Sequence, residues 1–483
     1  MFISFLAALS IATAPPEAEP AVGSKRKNVN HLKEFTAAPS TFGVGTDSAS
    51  LKGDTSWMQL APKYDIMMHR PDTSMYGIHC TLLSQCFALF QDEFDGAAVL
   101  SCEDFCATQK VCAEMSAFLT HSTRQTTMND ILSRYFNISV TIVPVGTGGI
   151  SVDGGITTQC GISAVNRMPV MLIEYKADMA MGNCTPVEQN IGYYIQSYRH
   201  MAAFALEKSV CPTLLISVVG PYMSVSFAAH CKHVVIDPAT PFLPLLLLPY
   251  DVKTMVQVTR MLKAIKNCIG RLTSHYRDLP EGDVSTEEFE QLQYPYKRSF
   301  VDLNGATCEF KYLNQLGKKL VFEAEVTAVG NGAHVQVGAR ILVKFTRTYC
   351  SAAHKVCAGL DPPAAPCLHA EMLMSGGWIC VVMDFISDAE HFVAKRGGQA
   401  ADHLSRAVAA LHEQDLVHAD LREQNILVKD GCAFLIDFDW SGTEGQHTYP
   451  PFMNHEGVRW ADDAGYLLPL KKSHDTHFME MLI

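Results

Sequence analysis

The sequence predicts an α/β segment followed by an α+β segment, and three observations support this prediction. Apolar runs typical of buried strands, PVMLIEYK and PTLLISVVG, follow helix-like stretches before residue 275. The next segment, 276–300, is polar and acidic and carries two prolines, which favours a linker. After residue 300 the strand pattern restarts with KLVFEAEVTAV and ARILVKFT, joined through the turn pair Asn331-Gly332.

Composition and charge bound the domain organisation and the class of protein. Hydrophobic residues make up 48% and charged residues 18% of the chain, which is typical of a globular protein. The net charge of −12 argues against a nucleic-acid coat protein, although a local basic groove is compatible with it. Residues 1–60, rich in Ala, Pro, Ser, Thr and Gly, predict a disordered tail before the segments 61–275, 276–300 and 301–483.

Cysteine usage and the apolar stretches indicate the compartment. Sixteen cysteines without a C-x-x-C pair are typical of reduced thiols, which favours an intracellular location in the cytoplasm or nucleus. The first 16 residues include an apolar run but lack the positive region of a secretory signal, so secretion is the less favoured alternative. The stretch 241–251 is too short and too rich in proline to span a bilayer, so no membrane partner is expected.

Polar residues gather near the carboxy-terminal strands. Segment 399–415 has helical periodicity, with Leu404, Val408 and Leu411 on one face, and it leads into the loop His418-Ala-Asp420. Two short strands follow, NILV and AFLI, with a Lys-Asp-Gly turn between them. Because Asp420, Asn425 and Asp437 fall at the loop, the loop end and the strand end, we expect them to converge on one rim; the alternative is a polar hairpin whose Asp and Asn residues only make turns.

This set suits phosphoryl transfer, which needs one carboxylate for the nucleophile's proton and an amide with a second carboxylate to hold Mg²⁺ against the phosphates. The spacing of five and then twelve positions resembles the protein-kinase catalytic loop and its downstream D-F-G motif. The resemblance implies that Asp420 is the catalytic base and that Asn425 and Asp437 are magnesium ligands. It also implies that His418 braces the loop and that Arg422 contacts the transferred phosphate.

The upstream strands fit the same resemblance in part. Lys344 lies mid-strand in ILVKF, where a kinase keeps the lysine that pairs with the α- and β-phosphates of ATP. In ICVVMDFI, Asp384 falls where the resemblance places the adenine. No G-x-G-x-x-G precedes the lysine, and Gly317 alone marks the first turn.

Further departures concern the lysine's partner and the two motifs. The helix after Lys344 lacks the glutamate that should pair with the lysine; His354 is the nearest polar candidate and Glu371 is distant. H-A-D replaces H-R-D, and Asp439 replaces the glycine of D-F-G. The motif therefore predicts binding of ATP and Mg²⁺ more firmly than it predicts turnover.

A second constellation lies in the middle of the chain. Glu174 and Lys176 are two positions apart in a predicted strand, so they share one face, a pairing that is also common by chance. Asp153 lies 21 positions earlier, in what the sequence predicts to be a glycine-rich turn. Two carboxylates and a lysine so arranged can bind Mg²⁺ and activate a water for attack on a phosphodiester.

This pattern resembles the D…(D/E)-x-K core of restriction-endonuclease-like nucleases, written PD-(D/E)XK. The resemblance implies a mixed sheet flanked by helices, with Asp153 and Glu174 as metal ligands and Lys176 as the catalytic lysine. Gln189 and Tyr193 match the Q-x-x-x-Y helix of some branches, which can contact the DNA backbone.

The combination of the two constellations resembles Crinkler-type effectors and related proteins of fungi and oomycetes, most closely in IDFDWSGTEGQHTYP at 436–450. It implies a restriction-endonuclease-like domain followed by a truncated bilobal protein-kinase-like fold. The usual amino-terminal translocation motif of Crinklers is absent from this sequence.

Four functions remain open at this point. The first is an ATP- and Mg²⁺-dependent phosphotransferase, a Ser/Thr protein kinase-like enzyme acting on a protein substrate and carrying a DNA-binding, nuclease-like module. The second is a Mg²⁺-dependent DNA nuclease effector with a regulatory pseudokinase domain. The third is a pseudokinase scaffold, and the fourth is a small-molecule kinase of the aminoglycoside phosphotransferase kind.

Overall fold

The computed structural model describes residues 66–67, 77–145, 151–161, 163–178, 185–199, 203–246, 250–280, 282–317, 319–395 and 397–483. These residues divide into two compact units, with the boundary between residues 297 and 298. The proposed disordered tail, 1–60, lies outside the described residues.

The described residues of the first unit form eight α-helices, and four of these begin at a side-chain cap. Ser101 and Asp104 form a capping box in which each side chain accepts a hydrogen bond from the other residue's backbone N–H. The helices are α1 Cys80–Leu83, α2 Gln85–Asp92, α3 Cys102–Met115, α4 His121–Phe136, α5 Pro186–Arg199, α6 Ala203–Lys208, α7 Val252–Arg277 and α8 Thr286–Gln291.

Helix α8 lies inside the segment 276–300 that the sequence suggests as a linker. Ser285 accepts a hydrogen bond from the Glu288 backbone N–H, and Glu288 accepts one from the Ser285 backbone N–H. This capping box satisfies two amide groups at the start of the helix and explains a helical turn in a polar, acidic segment.

The first unit is built on one mixed sheet of eight strands. Its strands are β1 Ile66–Met67, β2 Thr141–Pro144, β3 Ser151–Cys160, β4 Ser163–Lys176, β5 Thr213–Val219, β6 Tyr222–His230, β7 Val234–Pro238 and β8 Leu243–Pro244. The order is β1-β7-β6-β5-β4-β3-β2, with β8 paired to β6. Strands β4 and β5 are parallel, with α5 between them in the chain, whereas β2, β3 and β4 form an antiparallel meander.

Helices cover the central strands of this sheet. Helix α5 packs against β4 and β5, while α4 and α7 pack against β3 and β4. The central strand β5 is buried along its whole length, as expected for a strand with partners on both edges and helices over it. The prediction of a mixed α/β arrangement in this part of the chain is therefore confirmed.

The second unit opens with an antiparallel sheet of order β13-β14-β12-β11-β10-β9. Its strands are β9 Ser299–Val301, β10 Thr307–Gln315, β11 Val321–Val329, β12 Arg340–Thr346, β13 Leu368–Met374 and β14 Trp378–Asp384. Smaller pairings follow, made by β15 Glu390–His391, β16 Leu416–Val417, β17 Ile426–Lys429, β18 Cys432–Leu435 and β19 Gly442–Thr443.

Three helices complete the second unit: α9 Ser351–Ala358, α10 Gln399–Glu413 and α11 Lys472–Leu482. The predicted apolar face of α10 is confirmed, because Leu404, Val408 and Leu411 are all buried. They belong to a core cluster that also takes in Leu435 and Phe478, from β18 and α11. This core fixes the β17–β18 hairpin against the helices.

In the described part of the chain no helix combines the length and apolar character needed to cross a membrane. The described cysteines are free thiols.

Candidate functional site

The β17–β18 hairpin presents Asp437 at the end of its second strand. Asp430 and Gly431 make the turn, and both take the positive φ angles that such two-residue turns require. Asp437 itself has φ 70°, a left-handed conformation that is rare for residues other than glycine. The chain thus turns sharply at this carboxylate and directs the next residue, Phe438, into the core.

Lys344 meets this carboxylate from the large sheet. It lies in the middle of β12, and its Nζ is 2.5 Å from Oδ1 of Asp437 and 2.6 Å from Oδ1 of Asp439. Lys319, from the connection between β10 and β11, places its Nζ 3.4 Å from the other oxygen of Asp437. Two ammonium groups and two carboxylates therefore meet at one point.

The charges at this point shift one another's pKa values. Burial raises the pKa of Asp437, but the Lys344 and Lys319 ammonium groups outweigh it and hold that pKa well below its usual range. Burial, together with the charge of Asp437, raises the pKa of Asp439 to about 6, although Lys344 acts in the opposite direction. Burial would lower the pKa of Lys344, and the two carboxylates raise it instead.

Asp439 takes the place of the helix glutamate that the sequence lacks. His354, the expected polar candidate on α9, contacts the Tyr349 hydroxyl and the Pro366 carbonyl oxygen instead of the lysine. Burial lowers the pKa of His354 to about 4, so the ring is neutral near pH 7. It therefore has no negative charge with which to pair with Lys344. The replacement of the D-F-G glycine by aspartate was the sequence signal for this pairing.

Asp420 is held by its loop neighbours. Its Oδ2 accepts hydrogen bonds from Nη2 of Arg422 at 2.6 Å and from Nδ2 of Asn425 at 2.7 Å. Nδ2 of Asn425 also donates to the Asp420 backbone carbonyl, and the Asn425 carbonyl accepts from the amide of Ile436, next to Asp437. The structure therefore brings Asp420, Asn425 and Asp437 into one connected group, while Arg422 pairs with Asp420 itself.

Sequence reasoning missed Asp475, which fixes the backbone of this loop. It lies on α11, is fully buried, and accepts hydrogen bonds from the backbone amides of His418 at 2.8 Å and Ala419 at 2.9 Å. His412 on α10 contacts the same carboxylate at 3.1 Å. No motif marks Asp475, because its distance along the sequence from the loop reveals nothing of their contact.

His418 is a buried structural residue. It is completely inaccessible to solvent, its ring packs 5.2 Å from the ring of Phe438, and its carbonyl oxygen accepts from the Ser441 hydroxyl. Burial lowers its pKa. These contacts connect the loop to the chain that follows Asp437 and agree with a bracing position.

A cleft opens beside Lys344 and Asp437. Apolar side chains from the sheet and the hairpin form most of its wall, and they are Leu316, Val321, Leu342, Pro366, Met383, Phe385, Ile386, Leu427 and Ile436. Asp384, at the end of β14, and Lys319 also line it. An apolar slot with charged groups at one end suits a ligand that joins a flat ring to an anionic chain.

The donor atoms at the charged end suit magnesium. Nδ2 of Asn425 is engaged with Asp420, which leaves the amide oxygen for a cation, and Asp437 offers carboxylate oxygens. Mg²⁺ prefers such hard oxygen ligands. Asn425 and Asp437 are thus the residues that would hold it.

The first unit assembles the second constellation on β3 and β4. Asp153 lies within strand β3 and not in a turn as the sequence indicated, because this stretch pairs with β2 and β4. Its Oδ2 accepts from the Tyr175 backbone amide, and it contacts Nε2 of His121 at 3.1 Å. His121 begins helix α4, and sequence reasoning did not select it.

Glu174 and Lys176 face the same side of β4 and touch each other. Nζ of Lys176 donates to Oε1 of Glu174 at 2.8 Å and to Oε1 of Gln189 at 2.7 Å, and Gln189 donates to the Tyr193 hydroxyl. Burial and the charge of Asp153 raise the pKa of Glu174 to about 8. Its Oε2 is buried with no hydrogen-bond partner among the described residues.

Comparisons with known proteins concern the second unit. The family model described as "RIO domain", an atypical protein kinase family, matches residues 378–447. Among solved structures, the chain is similar to one titled "Structure of vaccinia related kinase 3", with 15% sequence identity and a TM-score of 0.27. The match covers 38% of this chain and 65% of that kinase chain. A comparison with curated protein sequences gives no match.

The matched segment contains the loop of Asp420, the β17–β18 hairpin and Asp437. Together with the lysine that reaches Asp437 from the sheet, this match supports a protein-kinase-like domain. Kinase-like families use ATP and Mg²⁺.

Proposed function

We propose that the second unit transfers the γ-phosphoryl group of ATP to a Ser or Thr hydroxyl of a protein substrate. One observation supports this proposal above the others: Lys344 and Asp437 meet at the end of the cleft, and Asn425 links Asp437's strand end to Asp420. A kinase needs these groups around one nucleotide. The apolar wall of the cleft accommodates the adenine.

Each residue has a defined task in this reaction. Lys344 and Lys319 exchange their carboxylate partners for the phosphates and orient them. Asp420 accepts the hydroxyl proton as the hydroxyl oxygen bonds to the γ-phosphorus, and the bond from that phosphorus to the β–γ bridging oxygen breaks, releasing ADP. Mg²⁺, when bound at Asn425 and Asp437, neutralises phosphate charge. Arg422 holds the Asp420 carboxylate in position.

The test is transfer of labelled γ-phosphate to the chain itself and to generic protein substrates. Asp420→Asn should lower transfer by about 100-fold or more, the usual loss when a general base is removed, while nucleotide binding persists. Asp430→Asn, in the exposed hairpin turn, is the matched control and should retain activity. Equal transfer by wild type and Asp420→Asn would refute catalysis by this loop. Nucleotide binding without transfer in either protein would identify a pseudokinase.

A specific observation favours a second function, that of a Mg²⁺-dependent DNA nuclease, for the first unit. Glu174 carries a buried oxygen without a partner, and Asp153 lies close enough to raise its pKa. A divalent cation would satisfy both carboxylates, as in the D…(D/E)-x-K resemblance, with Lys176 beside the attacking water. The pairing of such a unit with a kinase-like domain supports the resemblance to Crinkler-type effectors.

Nicking of supercoiled plasmid with Mg²⁺ or Mn²⁺ tests this second function. Lys176→Ala should abolish nicking, whereas Lys110→Ala, an exposed lysine on α3, should not. Metal-dependent nicking that survives Lys176→Ala would refute the assignment. DNA binding without nicking would leave Gln189 and Tyr193 with a contact role only.

A further inference from the structure

Three side chains with soft and borderline donor atoms gather outside the two sets of residues described above. His334 lies in the connection between β11 and β12, Cys367 immediately precedes β13, and His369 is the second residue of β13. One ligand atom from each residue lies within 4.8 Å of the others, and Sγ of Cys367 is 3.9 Å from Nε2 of His334. The phosphoryl-transfer mechanism uses none of the three.

The backbone holds these residues in place from two sides. Cys367 and His369 are two positions apart, and a register irregularity between Leu368 and Ala370 interrupts the pairing of β13 with β14 at this point. The carbonyl of Cys367 accepts a hydrogen bond from the Asp384 amide at 3.0 Å. The amide of His334 donates to the Asp302 carboxylate, which anchors its loop. The three donors are therefore pre-positioned by the fold.

His369 has the bonding pattern of a metal-ligating histidine. It is 5% exposed, and its Nε2 lies 2.7 Å from Oδ1 of Asp384. When Nε2–H donates to that carboxylate, Nδ1 is the deprotonated nitrogen, and Nδ1 is buried without a hydrogen-bond partner among the described residues. Leaving such a buried atom unsatisfied is unfavourable. Carboxylate–histidine–metal arrangements orient the ligand in this way.

We propose that His334, Cys367 and His369 bind one zinc ion, with water as the fourth ligand. A thiolate and two imidazoles suit Zn²⁺ and exclude Mg²⁺ and Ca²⁺, which take oxygen ligands. Neighbouring ligand atoms of a tetrahedral zinc site lie about 3.5 Å apart. A small rotation of the exposed His334 side chain would bring its ring nitrogen to this distance from the other two ligand atoms. Simple ring packing, with His334 and His369 centroids 6.0 Å apart, would leave Nδ1 of His369 without a partner.

The site lies next to the nucleotide cleft. Asp384 supports His369 and also lines the cleft, so an occupied site would fix this carboxylate at the cleft wall. It would also attach the β11–β12 connection to the start of β13. Zinc binding itself does not depend on whether the cleft catalyses phosphoryl transfer.

Cobalt substitution in the metal-free full-length protein tests the proposal. Co²⁺ bound through a thiolate gives a near-ultraviolet charge-transfer band that oxygen-ligand sites do not give. Wild type should develop this band at one equivalent, and Zn²⁺ should displace the cobalt. Cys367→Ser should lose the band, and Asp384→Asn should weaken zinc affinity by about 10–100-fold in competition with a chromophoric chelator.

His334→Ala keeps the test informative if changes at buried positions prevent folding, because His334 is exposed. This variant should fold as wild type does but lose at least about tenfold in zinc affinity. Cys102→Ser and His455→Ala, both exposed and far along the chain from the site, are the matched controls and should keep the band. A band that persists in Cys367→Ser, or a wild type that gives none, would overturn the proposal.

Discussion

Lys344 has two carboxylate partners, Asp437 and Asp439, and burial together with the charge of Asp437 makes Asp439 costly to ionise. The raised pKa of Asp439, about 6, means that the fold favours its protonated form more than the unfolded chain does. Ionised Asp439 therefore lowers the stability of the folded state at neutral pH.

Asp439→Asn should leave stability unchanged or raise it by about 1 kcal/mol at neutral pH, since it removes the charge that the site disfavours. It should lower phosphoryl transfer by about tenfold or more, because Lys344 loses one of the groups that orient it. Denaturant unfolding at pH 5 and pH 8, with transfer assays alongside, measures both effects. The stability gain should be smaller at the lower pH, where wild type is already protonated. A large loss of stability at pH 8 would contradict this explanation.

The raised pKa of Glu174 leads to a second prediction, on the pH dependence of stability. Its folded pKa of about 8 exceeds the usual 4.5, so the native state binds more protons than the unfolded state between these values. Stability of the first unit should therefore fall as pH rises through this window, and Glu174→Gln should flatten the dependence. Unfolding measured across the window checks it, with the exposed Glu114→Gln as control. Mn²⁺ should restore wild-type stability at high pH if the two carboxylates bind it.

Helix α11 positions the loop that carries Asp420 through a single buried carboxylate. Asp475 accepts from two loop amides and contacts His412 of α10, so it joins both helices to the backbone before Asp420. A loop whose amides are satisfied in this way holds Asp420 without needing the arginine of an H-R-D motif. Ala419, with φ 68°, occupies the sequence position of that arginine.

Asp475→Ala should destabilise the second unit by about 3–5 kcal/mol, because it leaves two buried amides and a histidine without their acceptor. Hydrogen exchange should accelerate at the His418 and Ala419 amides before the unit unfolds globally. Asp463→Asn, at a 53% exposed carboxylate that contacts His474 of the same helix, is the control and should leave stability close to that of wild type. Unchanged exchange at the two loop amides would show that α11 does not hold the loop.

The elements of the second unit follow their local sequence signals closely. The Lys-Asp-Gly turn, the strands on either side of it and the apolar face of α10 were all predictable, because each depends on neighbouring residues. The contact of Asp475 with the loop and that of His121 with Asp153 were not, since each joins segments whose proximity only the tertiary fold creates. The Asp153 strand was mistaken for a turn because its two glycines pair within a sheet.

The whole molecule consists of two units with separate cores and separate clusters of carboxylates and lysines. We therefore expect two unfolding transitions in the full-length chain. A non-hydrolysable ATP analogue at 100 times its dissociation constant should stabilise the second unit alone, by about 2.7 kcal/mol. Hydrogen-exchange mass spectrometry assigns the protection to 298–483 or to the first unit. Equal protection of both units would contradict independent ligand sites. Location in the cytoplasm or nucleus stays a prediction.

The double contact of Asp437 with Lys344 and Lys319 has a consequence for the order in which ligands bind. A cation arriving alone must dislodge two ammonium groups, and a triphosphate arriving alone must draw the same groups away from a carboxylate. When both bind, the phosphates pair with the ammonium groups and the carboxylate coordinates the cation. Neither exchange then leaves an unpaired charge. Nucleotide and magnesium should thus show thermodynamic linkage, each tightening the other by the same factor in calorimetric titrations.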